Sequence, residues 1–554
     1  MAGEGSHCLA LVAKALGDSV EVLSIVGKVA RTLAQGCPKP MRALVASSIA
    51  GEVSMALPSA FVAKGKLDDV VCSKLEIVMG LMALIAIAVS HWKYKWRIRS
   101  SGGKLPPGSM GFPLIGETIE FFMPSKSVDI PPFLKKRTKR YGTLFKTNLV
   151  GRPAVISADP DFNRFILLEE GKSVEMWYLD AFAKLLGHDT TTDLEVKTNV
   201  TGYIHKHVTN VILNHFGPER LKDKLLPQLQ AMAEKTLNAW STREFVEVKR
   251  DCAMMIFNLT SELLFSYDAE RTGENLTGDI SRLYQGLMSL PINIPGTTFH
   301  ESLKSQKKLL NIIEREITER IASPGIRKRD LLDHLLEDMK TQTFLTRDFI
   351  TYLMVALMVA SLETVSTGLT MTIKLITESP RAVQELIKEN EEALRNRRIS
   401  GKEEITWEEY KSMAYTMQVI NESFRLASIS PGIVRRALKD IHWNGYIIPK
   451  DWTIIMVQTG LHLNPEAFVD PLNFNPSRWK QQDIEKVRAN YYIPFGGGGR
   501  PCAGAEFTKA VYAVFLQVLV TKYRWVKVKG GEVARTPMLD FGGGFHIKVS
   551  KIQE

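Results

Sequence analysis

A ten-residue stretch near the C-terminal end, residues 495–504, constrains this chain more than any other. It contains four consecutive glycines followed by Arg500 and Cys502. Glycine lets the backbone approach a large flat group because it carries no Cβ. A helix is predicted from Ala505 onward, and a helix N-terminus lowers the pKa of a nearby thiol, favouring the metal-binding thiolate. Arg500 can neutralise an acidic group on the same ligand, so the stretch fits haem iron held by an axial cysteine.

Two simpler interpretations of this stretch remain open on these residues alone. A glycine run followed by arginine can cradle phosphate, but the lysine and hydroxyl expected at its end are absent. A lone cysteine is more often a small apolar residue of the core than a ligand.

The spacing of the stretch adds a specific signal. Phe495, Gly498, Arg500, Cys502 and Gly504 form the pattern Phe-x-x-Gly-x-Arg-x-Cys-x-Gly, which resembles the haem-binding signature of the cytochrome P-450 family. The resemblance implies that these five residues bind haem b and that Cys502 ligates the iron. It also implies a mainly α fold with a smaller β region, O2 as co-substrate, and electrons from NADPH through NADPH-cytochrome P-450 reductase.

Residues 349–376 predict a long buried helix, because they are apolar on nearly every face. Glu363 and Thr364 lie inside it, where polar groups are costly to bury. Their side chains can simply bond the preceding carbonyls or face solvent. Beside haem, a hydroxyl next to a carboxylate can also relay the protons that O–O cleavage needs. The segment resembles the family's Ala/Gly-Gly-x-Asp/Glu-Thr motif, with Ser361 in place of the usual glycine, which implies that Glu363 and Thr364 are catalytic.

A charged group is predicted below the haem. Glu422 and Arg425 lie three residues apart on one helix face, a spacing that is also common in surface ion pairs. Apolar residues on both sides predict partial burial, which requires further partners. With Arg478 they resemble the family's Glu-x-x-Arg and Phe-x-Pro-x-Arg/Trp motifs, which implies a structural role for all three.

The resemblance also predicts how the haem propionates are held. Arg435, four residues after Pro431, is expected to pair one propionate. The family usually places a second basic residue where this chain has Thr209. We therefore expect His205 or Lys206 to take its place.

The chain divides into four predicted parts. Residues 1–73 are an extension without a recognisable motif, whose scattered acids argue against a transit peptide. Residues 74–92 predict a transmembrane anchor, residues 93–116 a basic stop and proline-rich hinge, and residues 117–554 the catalytic domain. The hinge is predicted neither to extend a helix nor to join a sheet, because proline fixes φ and lacks a donor. A pair of strands is predicted over residues 144–156, with a turn at Gly151–Pro153 between them.

The anchor prediction depends on its flank more than on its length. The apolar run 77–89 is shorter than the roughly 20 residues of a spanning helix, so a core helix is the alternative. It is followed by Trp92, Tyr94 and Trp96 alternating with basic residues, as at a membrane interface. This pattern predicts a single-pass protein of the endoplasmic reticulum membrane with a cytosolic catalytic domain.

Charge and cysteine content narrow the possible partners. The net charge of +11 suggests an acidic protein or an anionic membrane surface. Nucleic acid is not expected, because no basic block with stacking aromatic residues is present. The five cysteines show no zinc or disulfide spacing, which is typical of a reducing compartment.

The substrate is expected to be rigid and lipophilic. The chain resembles the plant clan of the family that oxidises sterols, brassinosteroids, gibberellin precursors and triterpenoids, so a tetracyclic triterpenoid or sterol is predicted. Apolar walls favour such a ligand. The residues predicted to line the pocket are Trp177, Tyr178, Leu179, Phe182, Leu290, Ile292, Val359, Val434, Met538 and Leu539.

Two other functions are weighed against hydroxylation. One is a haem-thiolate isomerase or dehydratase that needs no reductase, and the other is a non-enzymatic haem-binding membrane protein. Neither needs an acid–alcohol pair, so Glu363 and Thr364 favour the monooxygenase.

Overall fold

A computed structural model describes residues 103–112, 115–178, 180–187, 202–268, 276–323, 325, 327–480, 490–536 and 538–553 of the chain. Residues 81, 82, 84–86, 88 and 89 are also described, and they are helical. Lys104–Gly111 and Ile115–Glu554 form one compact unit, which contains all the structure discussed below except that N-terminal helical segment.

The described residues confirm a mainly α fold with a smaller β region. The longest helix, Arg347–Thr377, is named the central helix here. It begins after Thr346, whose hydroxyl accepts a hydrogen bond from the Phe349 N–H at 3.1 Å and so caps the first turn. Its bounds lie close to the predicted 349–376. The other helices are Thr118–Phe121, Pro132–Tyr141, Pro160–Leu168, Asp180–Leu185, Tyr203–Phe216, Pro218–Arg220, Leu226–Ser241, Val248–Phe265, Thr277–Leu287, Thr298–Ala322, Leu331–Asp338, Pro380–Ile399, Trp407–Ser412, Ala414–Ala427, Gln458–His462 and Ala505–Lys522, with a π-helical turn Leu221–Leu225 and a 3-10 turn Pro476–Lys480.

The β region consists of twelve described strands, numbered β1 to β12 in chain order. They are Leu144–Leu149, Arg152–Ser157, Val174–Met176, Val246–Glu247, Ile433–Ala437, Ile441–Trp443, Tyr446–Ile448, Thr453–Met456, Tyr523–Gly530, Val533–Arg535, Leu539–Phe541 and Phe545–Lys551. Five of them form the main sheet, in the order β1-β2-β8-β5-β3. β2 and β8 are parallel, and the other neighbouring pairs are antiparallel. A three-stranded sheet has the order β4-β12-β9, and β6–β7 and β10–β11 are hairpins.

The predicted hairpin over residues 144–156 is present as β1 and β2. Its turn residues Val150 and Gly151 both have positive φ, as in the tight turns whose twist matches that of paired strands. The predicted turn at Gly151–Pro153 was placed slightly late, because Arg152 and Pro153 already pair with β1.

The prediction that the proline-rich hinge stays out of the sheet is wrong at two positions. Gly108 bridges Lys146 and Gly116 bridges Leu149, both on β1. The N–H of Lys146 also donates to the Pro107 carbonyl at 2.8 Å. Proline cannot donate, but it can accept, and glycine allows the close approach. A Cβ on Gly108 would lie only 2.1 Å from the Lys146 carbonyl oxygen.

Most of the predicted membrane anchor lies outside the described residues, as do the extension 1–73 and most of the basic stop. Of the anchor, the described Leu81, Leu84 and Ile85 are exposed. Within the described ranges, the central helix is the one helix long and apolar enough to cross a membrane. Because 56% of its most apolar window is buried inside the protein, it has the character of a core helix. The single-pass anchor therefore stays a prediction.

Candidate active site

A cavity of 480 Å³ lies where the central helix, the five-stranded sheet and the glycine-rich loop meet. Cys502 and Thr364, which are far apart in the chain, both line it. Two arginines, Arg435 and Arg500, lie on its border, and the remaining wall is predominantly apolar and aromatic. The other lining residues are Phe121, Phe122, Leu149, Val150, Leu167, Met176, Trp177, Tyr178, Phe182, Tyr284, Leu287, Met288, Phe424, Ile429, Ser430, Pro431, Gly432, Ile433, Val434, Ile455, Gln458, Pro494, Phe495, Gly496, Gly497, Thr508 and Met538.

The glycine-rich loop is folded back on itself so that Cys502 opens into the cavity. The Cys502 N–H donates to the Phe495 carbonyl at 2.9 Å, which closes the loop. Gly496 and Gly498 have φ values of 73° and 65°. A Cβ on Gly498 would lie 2.0 Å from the carbonyl oxygen of Leu167, so this position is restricted to glycine. Gly504 precedes the helix Ala505–Lys522, named the cysteine helix here.

The thiol of Cys502 does not have the lowered pKa that the sequence predicted. Burial raises its pKa, and the opposing hydrogen bond from the Gly504 backbone does not compensate. Loss of hydration therefore outweighs the Gly504 hydrogen bond in setting the pKa of this thiol. A thiol with a raised pKa gives up its proton when a metal binds, because coordination favours the thiolate.

Beside the thiol, two buried guanidiniums share one carboxylate. Arg500 Nε lies 2.9 Å from Glu170 Oε1, and Arg435 forms an ion pair with the other oxygen of Glu170. The side chains of Arg435 and Arg500 are only 5% and 6% exposed. Burial lowers the pKa of Arg500, and the nearby charge of Arg435 adds to this effect.

This cluster fits a ligand that carries acidic groups. Two buried cations around one shared carboxylate favour an additional anion, because buried charge is costly unless it is paired. A thiol, two arginines and glycine backbone on one cavity are together the donor set that a haem with two propionates requires.

The predicted substitutes for the basic residue at Thr209 are not on the cavity wall. His205 is partly buried and its Nε2 lies 3.5 Å from Thr209 Oγ1, whereas Lys206 is exposed. Burial lowers the pKa of His205, and the charge of Arg500 lowers it further, while Glu170 opposes them. The charges of Arg500 and Glu170 therefore influence the pKa of His205, although His205 does not line the cavity.

On the central helix, Thr364 and Glu363 point in different directions. Thr364 lines the cavity, and its hydroxyl donates to the Ala360 carbonyl at 2.5 Å. The Ser361 hydroxyl makes the same kind of bond, to Met358 at 3.1 Å. Glu363 is buried, accepts a hydrogen bond from Ser281 and lies 3.5 Å from Lys249 Nζ. The hydroxyls therefore do bond preceding carbonyls, while the carboxylate has partners from two other helices.

Glu422, Arg425 and Arg478 are brought together. Arg425 binds Glu422 through two bonds of 2.8 and 2.9 Å, and Arg478 Nε donates to Glu422 at 2.9 Å. The Trp479 indole adds a third donor at 3.0 Å. Both Glu422 and Arg425 are fully buried. The group lies outside the cavity lining, on the side of the helix Ala414–Ala427 that packs against the turn Pro476–Lys480.

The predicted pocket walls are only partly brought to the cavity. Trp177, Tyr178, Phe182, Val434 and Met538 line it. The other predicted wall residues do not line it. Leu290 and Ile292 are 48% and 46% exposed, and Val359 and Leu539 are buried away from the cavity. Leu179 lies outside the described residues.

Leu290 and Ile292 differ from the prediction because they follow the end of the helix Thr277–Leu287 in a surface loop. The same region contributes Tyr284, Leu287 and Met288 to the cavity, one to two turns earlier. Sequence reasoning missed these three. The signal was the periodic apolar face of that helix, on which Ile280, Leu283 and Leu287 are buried.

Phe121 and Phe122 were also missed as wall residues. They follow the proline-rich hinge and reach the cavity through the short helix Thr118–Phe121. Their rings pack edge to face at 5.2 Å, while Tyr178 and Phe182 stack at 4.0 Å on the same cavity. The wall is therefore built from aromatic pairs, which hold a defined shape.

Comparison with known proteins supports the haem site described above. The family model described as cytochrome P-450 matches residues 106–552. The chain is 44% identical to cucurbitadienol 11-hydroxylase of Siraitia grosvenorii, over 85% of this chain and 98% of that protein. It is 43% identical to a beta-amyrin 16-alpha-hydroxylase of Maesa lanceolata, over 86% and 99%. Among solved structures, the retinoic acid-bound cyanobacterial CYP120A1 superposes with a TM-score of 0.71 at 25% identity, over 81% of this chain and all of that one.

Proposed function

This chain belongs to the cytochrome P-450 family, and on that basis we propose that its cavity binds a tetracyclic triterpenoid or sterol for hydroxylation. Family membership makes the protein a haem-binding monooxygenase that uses O2 and electrons from a reductase. It resembles the sterol- and triterpenoid-oxidising plant members. The two alternatives, an isomerase or dehydratase and a non-enzymatic haem protein, are therefore disfavoured.

The observation that carries the proposed substrate is the wall of the cavity. Apart from Cys502 and the two arginines assigned to the haem below, it is largely aromatic and aliphatic, with a few hydroxyl and amide side chains. A rigid polycyclic hydrocarbon skeleton matches such a wall, because burial of apolar surface supplies affinity and isolated polar groups fix orientation. The hydroxylases named above act on cucurbitadienol and beta-amyrin, which supports a triterpenoid substrate here.

We assign the haem to the donor set beside Cys502. In this assignment Cys502 ligates the iron, Arg435 and Arg500 pair the propionates, and Phe495, Gly498 and Gly504 shape the loop. His205, whose pKa is lowered and which does not line the cavity, is left out of this assignment. When bound, haem supplies oxygen activation and the insertion of one oxygen atom into a C–H bond.

The residues of the central helix supply protons in this proposal. Thr364 offers its hydroxyl on the cavity side, at a position fixed by its bond to the Ala360 carbonyl. Glu363 is one residue earlier, and its carboxylate lies outside the cavity lining, 3.5 Å from Lys249 Nζ. Thr364 is then the group that passes a proton into the cavity, and Glu363 is the group that resupplies Thr364.

The test uses the full chain in microsomes with NADPH-cytochrome P-450 reductase. Cucurbitadienol, beta-amyrin and cholesterol are supplied one at a time, and products are identified by mass spectrometry. We expect a mono-oxygenated product from at least one, dependent on NADPH and reductase. No oxygenated product from any of them, with the haem-thiolate spectrum intact, would remove the proposed substrate class.

Two variants with matched controls test the assigned roles. Cys502→Ala is expected to abolish the reduced-CO absorbance of haem-thiolate, whereas Cys252→Ala, a fully buried cysteine away from the cavity, is expected to keep it. Thr364→Ala is expected to keep the spectrum but consume NADPH without forming product. Thr372→Ala, on the same helix and outside the cavity, is its control. Coupled turnover by Thr364→Ala would contradict its role.

The location and electron donor are proposed together. A single span within residues 74–92 would place the catalytic unit on the cytosolic side of the endoplasmic reticulum membrane, where the reductase is the partner. The net charge of +11 suits an acidic partner surface. Deleting residues 1–92 is expected to release the protein from microsomes while preserving the haem-thiolate spectrum.

A further inference from the structure

Both backbone polar groups of Ile493, two residues before the glycine-rich loop 495–504, are bound by side chains of one short helix. The Ile493 N–H donates to His462 Nε2 at 3.1 Å, and the Ile493 carbonyl accepts from Gln458 Nε2 at 2.6 Å. Gln458 and His462 are the first and last residues of the helix Gln458–His462, and both are buried. The two side chains therefore hold the residue from which the chain enters the loop.

The bonds of His462 fix where its ring carries a hydrogen. A backbone N–H can only donate, so Nε2 is the unprotonated nitrogen and Nδ1 carries the hydrogen. Nδ1 lies 2.9 Å from Ser428 Oγ, and that hydroxyl donates to the Arg425 carbonyl at 3.0 Å. Burial, together with the charges of Arg425 and Arg535, lowers the pKa of His462 to about 3. The ring is therefore neutral at neutral pH and offers Ile493 an acceptor.

The hydrogen bonds continue from Ile493 to the thiol. The Gly496 N–H donates to the Ile493 carbonyl at 3.1 Å, and the Cys502 N–H donates to the Phe495 carbonyl at 2.9 Å. The loop contains four consecutive glycines, which bring no side chains to pack and leave the backbone conformationally free. Its position therefore depends on backbone bonds, and those of Ile493 lie at its N-terminal end.

The same short helix is attached to the sheet that carries Arg435. It begins two residues after the end of β8, and Ile454 of β8 is paired with Arg435 of β5. Residues 454–462 thus connect the strand register of Arg435 to the bonds that hold Ile493. The separation between Cys502 and Arg435 is set through this segment.

We propose that His462 and Gln458 are positioning residues for the haem, which hold the start of the glycine-rich loop so that Cys502 and Arg435 reach the same haem. The proposal rests on the assignment of Cys502 and Arg435 to the haem made above, and no covalent bond changes. An imidazole that only filled the core could be replaced by any side chain of similar size that kept its bond to Ser428. The proposal requires instead an acceptor at the position of Nε2.

Two variants of His462 separate these roles, because each reproduces one half of the ring. In His462→Gln the amide oxygen can take the place of Nε2 and accept from Ile493. In His462→Asn the amide nitrogen can take the place of Nδ1 and donate to Ser428, but the shorter side chain leaves the Ile493 N–H without its acceptor.

The first test follows haem release from the full haem-loaded chain into excess apomyoglobin. His462→Asn is expected to release haem about tenfold faster than wild type or more, which is the usual effect of losing an outer-shell partner of a metal ligand. His462→Gln should stay close to wild type. Equal release rates of the two variants would overturn the role of the bond to Ile493.

The second test uses the reduced-CO absorbance of the same variants. A displaced loop moves the sulfur from the iron, so His462→Asn should lose haem-thiolate absorbance in favour of the band of haem without a thiolate ligand. His462→Gln should keep the wild-type band. A loss of folding stability alone lowers the amount of pigment but does not change the band of the folded fraction. An unshifted band in His462→Asn would contradict the proposal.

Gln458→Met tests the second bond and decides the matter if neither His462 variant folds. Its control is Asn390→Leu, because Asn390 is fully buried and its amide donates to the Leu386 carbonyl at 2.8 Å. Both variants remove a buried donor from a backbone carbonyl, but only Gln458→Met is expected to release haem faster. Equal release from the two would overturn the role of Gln458.

These measurements use no substrate, so their failure can be told apart from failure of the proposed hydroxylation. Wild type that shows the haem-thiolate band but forms no product refutes the proposed substrate alone, and the role of His462 is still decided by its variants. Wild type without that band would overturn the haem assignment and this proposal together.

Discussion

The Tyr512 hydroxyl on the cysteine helix donates to the Val365 carbonyl on the central helix at 2.7 Å. The donor residue is fully buried, and the accepting carbonyl lies one residue after Thr364. This bond ties the helix that follows Cys502 to the helix that carries Thr364. This buried contact helps to fix the two sides of the cavity relative to each other, and it depends on Gly368 being small.

Gly368→Ala is expected to destabilise the protein. A Cβ at this position would lie 2.3 Å from the Tyr512 hydroxyl oxygen and 2.7 Å from Ile429 Cδ1, so one buried and one partly buried side chain would have to move. Overpacking of this kind costs about 1–3 kcal/mol in free energy of unfolding, which urea unfolding can measure. Gly325→Ala, where a Cβ would meet no atom within 4 Å, is the control and should be close to neutral. Equal stability of the two variants would show that the helices are not tied at this point.

Arg425→Ala is expected to be far more damaging than loss of a surface ion pair. It leaves the carboxylate of Glu422 fully buried with fewer partners, and it removes donors from the carbonyls of His462 and Pro471. Removal of one partner of a buried ion pair costs about 3–5 kcal/mol. We expect little or no folded haem protein by reduced-CO absorbance. Lys522→Ala, which breaks the half-exposed pair with Glu234, should yield normal amounts.

The sequence predicted those parts of the molecule that depend on local pattern. The apolar run predicted the bounds of the central helix, and the turn predicted the β1–β2 hairpin. Cys502, Arg435 and Thr364, which were predicted as site residues, all line one cavity. Periodicity and turn chemistry are properties of neighbouring residues, so they can be read without tertiary contacts.

What the sequence could not predict depends on contacts between distant segments. Leu290 and Ile292 have the right character for a pocket wall, yet they lie on the surface, because helix Thr277–Leu287 ends before them. The local pattern around Cys502 predicts a lowered thiol pKa, whereas loss of hydration in the folded chain raises it. Side-chain chemistry is local, whereas exposure is set by the packing of the whole chain.

The acid dependence of stability should be traceable to Asp333. Burial raises the pKa of Asp333, but hydrogen bonds from the Arg329 N–H and the Arg320 guanidinium, at 2.8 and 2.7 Å, outweigh it and hold the pKa below its usual value. A carboxyl whose pKa is lowered on folding stabilises the protein above its unfolded-state pKa, about 4. The contribution is lost as the pH falls through the lower folded-state pKa.

Asp333→Asn should therefore be less stable than wild type by about 1–3 kcal/mol at pH 7. The difference should shrink steadily as the pH is lowered below about 4, because the wild-type carboxyl is then protonated as well. Urea midpoints measured across this range give the comparison. Asp223→Asn, at an exposed position, is the control. A gap for Asp333→Asn that stays constant with pH would show that its charge is unimportant.

The cavity wall predicts which aromatic residue controls substrate affinity. Phe182 lines the cavity and stacks on Tyr178 at 4.0 Å, whereas Leu290 has the same apolar character but is half-exposed outside it. Phe182→Ala removes apolar contact worth about 1.5–3 kcal/mol, which corresponds to roughly tenfold or more in dissociation constant. Leu290→Ala should leave the constant unchanged. Titration of each haem-loaded variant with cucurbitadienol, beta-amyrin and cholesterol, followed by the spectral shift of the haem, provides the measurement. If Phe182→Ala and Leu290→Ala both bound each ligand as tightly as wild type does, the substrate would lie elsewhere. One ring of the aromatic pair would then have been removed from this wall without an effect on binding.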